Sequence, residues 1–407
     1  LSFDRRVGGT DRCPIHVYRF PLQETSVQSG DTVRWGEAVI GTVESIDGER
    51  VAIKKRGAQA SAHPPGVFAW DHVRTPHQER SLRRLGEWVR DHGIDAAGRH
   101  RAARDLLLRK PPRVARERRG SLRVEGEDLL AAARRLALEL EEGTLPIQGP
   151  PGAGKTYSGA RMICSLVAAG RTVGITAMSH KVIRNLVDKV VEAAEEEGVE
   201  LTVVQKVSGK KKAKDRGRTG SDDPGVGNGT DASVEGASRE QADEDPAVEG
   251  PVRILEVDEN PEVLEALESG AAQVGAGTAW LWSRPEFAGS VDTLFVDEAG
   301  QLALATTLAV AQAGRALILL GDPKQLEQPL QGSHPTGTDV SALQHVLGEK
   351  ESMPPDRGLF LEETWRLHPE ICRFTSELFY EGRLESRDGL ERQVLSASER
   401  FSGAGLW

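Results

Sequence analysis

Gly149-Pro150-Pro151-Gly152-Ala153-Gly154-Lys155-Thr156, entered through the apolar Leu145-Pro146-Ile147, carries the residues of a phosphate-cradling loop in the spacing of a Walker A motif. Glycines let such a loop fold closely enough for successive N–H groups to point at an anion, and the helix that follows adds its positive end. Lys155 is placed to reach the β- and γ-phosphates of a nucleoside triphosphate, and Thr156 to set its hydroxyl on Mg²⁺. A plain glycine-rich turn needs neither the Lys-Thr pair nor the amphipathic helix beginning at Tyr157. Two more apolar runs end in chemistry. Leu294-Phe295-Val296-Asp297-Glu298 has the form of a Walker B strand, in which Asp297 holds Mg²⁺ through water and Glu298 orients or deprotonates the attacking water. Leu319-Leu320-Gly321-Asp322-Pro323-Lys324-Gln325 ends in a polar turn. The Gln325 amide can accept from a water and donate to a γ-phosphate oxygen at once, so it can sense that phosphate.

The elements that must position these residues are legible as a change of period along the chain. From His16 to Ala69 short β segments alternate with turns (Val33–Trp35, Ala38–Ser45, Val51–Lys55), which predicts a small β-barrel or curled sheet in residues 1–75. Arg80 to Leu107 has helical periodicity and is closed by Lys110-Pro111-Pro112, predicting a helical stalk over 76–119. A helix over Glu125–Glu142 then opens a second domain, 120–332, of alternating units. These are helix Tyr157–Ala169, strand Arg171–Thr176, helix Lys181–Glu197, strand Leu201–Gln205, strand Val252–Val257, helix Pro261–Ser269, and strands Ala271–Gly275, Thr293–Val296 and Ala316–Leu320. Such alternation predicts an α/β fold with a parallel sheet. Ser208 to Gly250 lacks apolar periodicity and reads as an insertion, loosely ordered at most. A third unit, 333–407, holds the strand-like Gly358–Glu362 and the helix Pro369–Tyr380.

Composition narrows the class. With 38% apolar and 5% aromatic residues over 407 positions, the chain can bury ordinary cores, and no run is apolar enough to span a membrane. The start, Leu1-Ser2-Phe3, lacks a leader and reads as a piece of a longer, cytoplasmic protein. Cys13, Cys164 and Cys372 form neither a disulfide framework nor a metal-ligand spacing. A net charge of -10 argues against a protein that coats nucleic acid indiscriminately. Arg99 to Arg119 is nonetheless rich in arginine, either as a solvated helix face or as a surface touching phosphates.

Taken in order, IQGPPGAGKT, GITAMSHKVIRNL, VDEAGQL, GDPKQLEQP and ETWRLHPEI, between about residues 145 and 375, resemble motifs I, Ia, II, III and IV of the superfamily 1 helicases. The similarity is to the branch that includes the nonsense-mediated-decay helicase and the Okazaki-fragment-processing nuclease-helicases, with a bacterial RecB-like nuclease-helicase as a further possibility. The resemblance implies RecA-like P-loop motor domains, with ATP and Mg²⁺ between them. It also implies 5′ to 3′ travel on single-stranded DNA or RNA, and room for a nuclease domain upstream. It makes Arg366 an arginine finger reaching the γ-phosphate when two motor domains close, and puts Trp365, where the family has Tyr, on the adenine beside the phosphate loop and Tyr157. Thr176, Ser179 and His180 in motif Ia, and Thr278 after Gly277, are placed on the nucleic-acid strand. Trp280 and Trp282 are candidates for base stacking, with at least one expected in the core. The adenine-reading glutamine ahead of motif I is not apparent in 126–143, and motifs V and VI are absent, so the second motor domain is expected to be incomplete and turnover weak. A P-loop ATPase serving as a nucleic-acid clamp or protein remodeller is the alternative.

Overall fold

A computed structural model describes the chain except residues 24, 26, 70–74, 115–119, 208–251, 326–336, 397–401 and 404–407. The expected insertion over 208–250 lies outside the described residues, as do the end of the stalk and the last part of GDPKQLEQP. The chain packs as two bodies, Leu1–Thr75 and Pro76–Trp407.

The first body is a six-stranded antiparallel sheet of β1 (Ser2–Thr10), β2 (Cys13–Arg19), β3 (Thr32–Trp35), β4 (Ala38–Asp47), β5 (Arg50–Lys55) and β6 (Phe68–Ala69), in the order β1-β2-β5-β4-β3-β6. One side of the sheet buries Tyr18, Val33, Ile40, Val43, Val51 and Ile53, the alternation that the apolar residues of β4 and β5 announce. The order is linear, and no pairing closes β1 onto β6 among the described residues, so the expected barrel is seen as an open sheet. β1 was not legible. Asp4-Arg5-Arg6 carries no apolar alternation, and the strand is interrupted by register shifts after Phe3 and Arg6. Gly9, at φ +77°, sits where a Cβ would lie 2.1 Å from the Cys13 carbonyl oxygen, so only glycine admits this hairpin.

The second body is built on a nine-stranded sheet. Its elements run α1 (Pro76–His92), α2 (Arg101–Leu107), β7 (Arg113–Val114), α3 (Leu129–Glu139), β8 (Leu140–Gln148), α4 (Lys155–Ala168), β9 (Val173–Thr176), α5 (His180–Glu197), β10 (Leu201–Lys206), β11 (Val252–Val257), α6 (Asn260–Glu268), β12 (Val274–Ala276), α7 (Ala279–Trp282), β13 (Val291–Val296), α8 (Leu304–Val310), β14 (Gly314–Gly321), α9 (Ala342–Leu347), β15 (Leu359–Phe360), β16 (Glu363–Thr364), α10 (Pro369–Phe379) and β17 (Glu385–Ser386). The order β11-β10-β12-β9-β13-β14-β8-β15 is parallel throughout, with β7 antiparallel on β8. Strand period decides the two cores. Phe295 of β13 and Ile318 and Leu320 of β14 face one layer with α3, α4 and α5. Leu294, Val296, Leu317 and Leu319 face the other, with Leu85, Leu106, Trp282 and Leu343. Burial on both faces is why these strands are uninterrupted apolar runs. No helix among the described residues is long and apolar enough to cross a membrane.

Two expectations are corrected. The stalk is two helices, α1 and α2, because Gly93 and Gly98 take left-handed φ values of +91° and +109° and break the run. The fully buried Arg104 holds the break, donating to the carbonyls of Ile94, Ala96, Gly98 and Arg99. The described residues after 336 are not set apart as a separate body: Leu359 and Phe360 pair with Ile147 and Gln148, extending the nine-stranded sheet beyond the strand that leads into the phosphate loop.

Candidate active site

β8 delivers the chain to the loop through Gln148, which is fully buried; its side chain accepts from the Met353 N–H at 2.7 Å and donates to the Glu351 carbonyl at 3.1 Å. Gly149 N–H then donates to the Gly321 carbonyl at 2.9 Å, pinning the loop to the end of β14. Gly152 and Gly154 both sit at φ +78°, the left-handed conformation that makes the loop turn back on itself before α4 begins at Lys155. A Cβ on Gly149 would fall 2.3 Å from Lys155 Cγ, so that glycine is required by the lysine it faces. Lys155 Nζ donates to the Gly149 carbonyl at 2.7 Å and so stays over the loop.

The acidic pair stands at the end of β13, between the strands that precede motif Ia and the Gln325 turn. Asp297 is 4% exposed, and its Oδ1 accepts from the Glu298 N–H at 2.9 Å. Burial, then the Glu298 charge, push its carboxyl up to about 6, while Lys155 pulls the other way. A buried carboxylate of this kind and the Thr156 hydroxyl are oxygen donors of the sort that suit Mg²⁺. Glu298 occupies φ +52°, rare for a side chain larger than asparagine, in a turn closed by Gln301 N–H to its carbonyl at 2.8 Å. Its Oε2 is buried with no hydrogen-bond partner among the described residues, which leaves a free acceptor on the cleft wall. The Gln325 turn is fixed from below by Asp322, fully buried, which accepts from Tyr380 Oη at 2.7 Å and from Lys324 N–H at 3.2 Å.

Residues 151–157, Glu298, Gln325 and Arg366 line one cleft of about 710 Å³. The structure thus brings together nearly all the residues expected to handle the triphosphate. Gly149 and Pro150 are buried at the root of the loop, and Asp297, also buried, is not among the lining residues. Trp365 is not among the lining residues: it is 58% exposed, with the Arg387 guanidinium 3.5 Å from its ring centroid. Tyr157 lines the cleft, its ring covered by Arg161 at 3.5 Å. Sequence reading missed the far wall, formed by Arg161 and the polar stripe Asn185, Asp188, Lys189, Glu192 of α5; its spacing of three and four residues is the signal that could have exposed it.

The residues expected on a nucleic-acid strand separate. Thr176 is fully buried at the end of a central strand, its hydroxyl enclosed, so the expectation that it faces a strand is not met. Ser179 is exposed and caps α5 by accepting from Val182 N–H at 3.3 Å; His180 is half-buried beside it. Thr278 is half-buried at the start of α7. Because β9 and β12 are parallel neighbours, Ser179 and Thr278 both follow the carboxyl ends of adjacent strands, at the same end of the sheet. Trp282 is core, donating its indole N–H to the carbonyls of Ile175 and Gly277 at 3.0 Å each, whereas Trp280 is 39% exposed.

The sequence relatives of this chain are helicases. Helicase SEN1 of Saccharomyces cerevisiae is 32% identical over 101 residues, 25% of this chain and 4% of the yeast protein. The 5'-3' DNA helicase ZGRF1 of Mus musculus is 37% identical over 68 residues, 17% of this chain and 4% of the mouse protein. The chain therefore spans a small part of the relatives it matches. An arterivirus nonstructural protein 10 (helicase) structure aligns at 12% identity over 94% of this chain and 57% of that one, with a TM-score of 0.35. No protein-family profile matches the chain.

Proposed function

We propose that this chain contains the ATP-hydrolysing part of a superfamily 1 helicase or translocase working on single-stranded nucleic acid. The observation that carries the reading is the convergence of the phosphate loop, Glu298, Gln325 and Arg366 on one cleft, in a chain whose relatives are helicases. Lys155 and the loop N–H groups bind the β- and γ-phosphates, and Arg366 adds a second cation at the γ-phosphate. Thr156 and Asp297 would hold Mg²⁺, which supplies charge neutralisation at the phosphate oxygens. Glu298 orients the attacking water through its free Oε2, and Gln325 reports whether the γ-phosphate is present.

Single-stranded DNA travelled 5′ to 3′ is the finer form of the proposal, in line with the printed name of the mouse relative. Ser179, His180 and Thr278, at the carboxyl end of the sheet, are the groups proposed to meet the strand's phosphates. The motif resemblance supports, as a finer reading, the branch of the nonsense-mediated-decay and Okazaki-processing helicases. The test is phosphate release from ATP by the chain and by Lys155→Ala, with and without a single-stranded oligonucleotide. Stimulation by the oligonucleotide that disappears in the variant supports the reading. Release that Lys155→Ala does not diminish overturns it.

A further inference from the structure

The arginine segment is bonded to the phosphate loop at two adjacent points, one of them a buried hydroxyl. Thr364 is fully buried; its Oγ1 donates to the Pro151 carbonyl at 2.9 Å and accepts from the Arg366 N–H at 3.3 Å. One residue on, Trp365 N–H donates to the Gly152 carbonyl at 3.0 Å. The fit is close: a Cβ on Gly152 would lie 2.4 Å from Arg366 Cβ and 2.8 Å from Thr364 Oγ1. On its other side Thr364 is held by the short β16–β17 pairing and by Arg387 N–H, which donates to its carbonyl at 3.0 Å. Arg366 itself is exposed and lines the cleft, its backbone N–H held by Thr364.

We propose that Thr364 is a positioning residue that sets Arg366 against the phosphate loop, so that the arginine recognises the γ-phosphate from a place fixed by the loop itself. This rests on the reading of the cleft as an ATP site. A hydroxyl is needed because the position must donate to a loop carbonyl and accept from the arginine's own N–H in one place, which a methyl cannot do and a longer side chain has no room to do. The consequence is selective. ADP lacks the phosphate Arg366 would touch, so loss of the Thr364 hydroxyl affects the triphosphate and spares the diphosphate.

The experiment measures affinities for ADP and for the imido analogue of ATP, with Mg²⁺, by displacement of a fluorescent ADP. The proteins are the full chain, Thr364→Val, Thr364→Ser, Arg366→Ala, the double variant Thr364→Val with Arg366→Ala, and Lys155→Ala. Thr364→Val is expected to lower the preference for the ATP analogue over ADP by about tenfold, the order for misplacing one charge-assisted hydrogen bond. Thr364→Ser keeps the preference, and Thr364→Val adds nothing once Arg366 is gone. Thr364→Ala removes the hydroxyl without filling the buried site, and replaces the valine variant where that does not fold. Equal weakening of both nucleotides, or additive losses in the double variant, overturns the proposal by showing a merely structural role. If Lys155→Ala binds both nucleotides as tightly as the parent, the ATP-site reading itself falls. If Lys155→Ala loses both while Thr364→Val keeps the parent's preference, this proposal falls alone.

Discussion

Tyr380 donates its phenol proton to Asp322 at 2.7 Å, joining the end of α10 to the turn that carries Gln325. Both residues are buried, and burial, with the adjacent Asp322 charge, pushes the phenol above its ordinary value, so it remains a neutral donor. Asp322 has the Lys324 N–H on its other oxygen. Tyr380→Phe removes one donor from an enclosed carboxylate and is expected to cost about 2 kcal/mol of stability. Urea unfolding of parent and variant measures the difference, and equal midpoints would show that the bond contributes nothing.

A second prediction concerns the first body. Lys55 is fully buried, donating to Tyr18 Oη and the Ala62 carbonyl, with the His16 and His63 rings stacked nearby. Burial pulls its amine down to about 8 and lowers both imidazoles, with the Lys55 charge adding to the effect on each. Between about 8 and the ordinary lysine value, the folded chain therefore binds fewer protons than the unfolded chain, and stability rises with pH across that window. Denaturation midpoints of this body should climb from pH 8 to 10. The climb should vanish in Lys55→Met, and a flat parent profile would refute the assignment.

The third prediction follows from Arg104. Its guanidinium serves carbonyls of Ile94 and Ala96 at 2.7 and 2.6 Å and lies 4.2 Å from the Trp88 ring centroid. A lysine cannot reproduce that planar fork. Arg104→Lys should destabilise the body by about 3 kcal/mol, as expected for stranding several buried acceptors, and should speed amide exchange between Gly93 and His100. Unchanged exchange in that segment would contradict it.

Arg104 also shows where sequence reading stops. An arginine-rich stretch reads as a solvated or phosphate-binding face, yet Arg104 is interior and Arg113 is paired with the buried Asp105. Nothing in residue type distinguishes an arginine that caps a chain break from one that meets solvent. The phosphate loop and the acidic pair were legible because their chemistry demands fixed residue types at fixed spacing. The parallel strands were legible because burial on both faces demands continuous apolar runs. Thr176 was misjudged for the converse reason: the last residue of a central strand points up or down according to register, which local sequence does not reveal. The attachment of β15 to β8, which puts Arg366 beside the phosphate loop, is a long-range pairing of two residues with no local signature.

The central claim, that this cleft hydrolyses ATP with Glu298 acting on the water, is tested most directly by Glu298→Gln. Phosphate release would be measured at saturating ATP and Mg²⁺ with a single-stranded oligonucleotide, alongside the affinity for ATP. The account predicts a rate at least about a hundredfold lower with nucleotide affinity retained, because the amide keeps the shape and loses the base. A variant that releases phosphate as fast as the parent would contradict it.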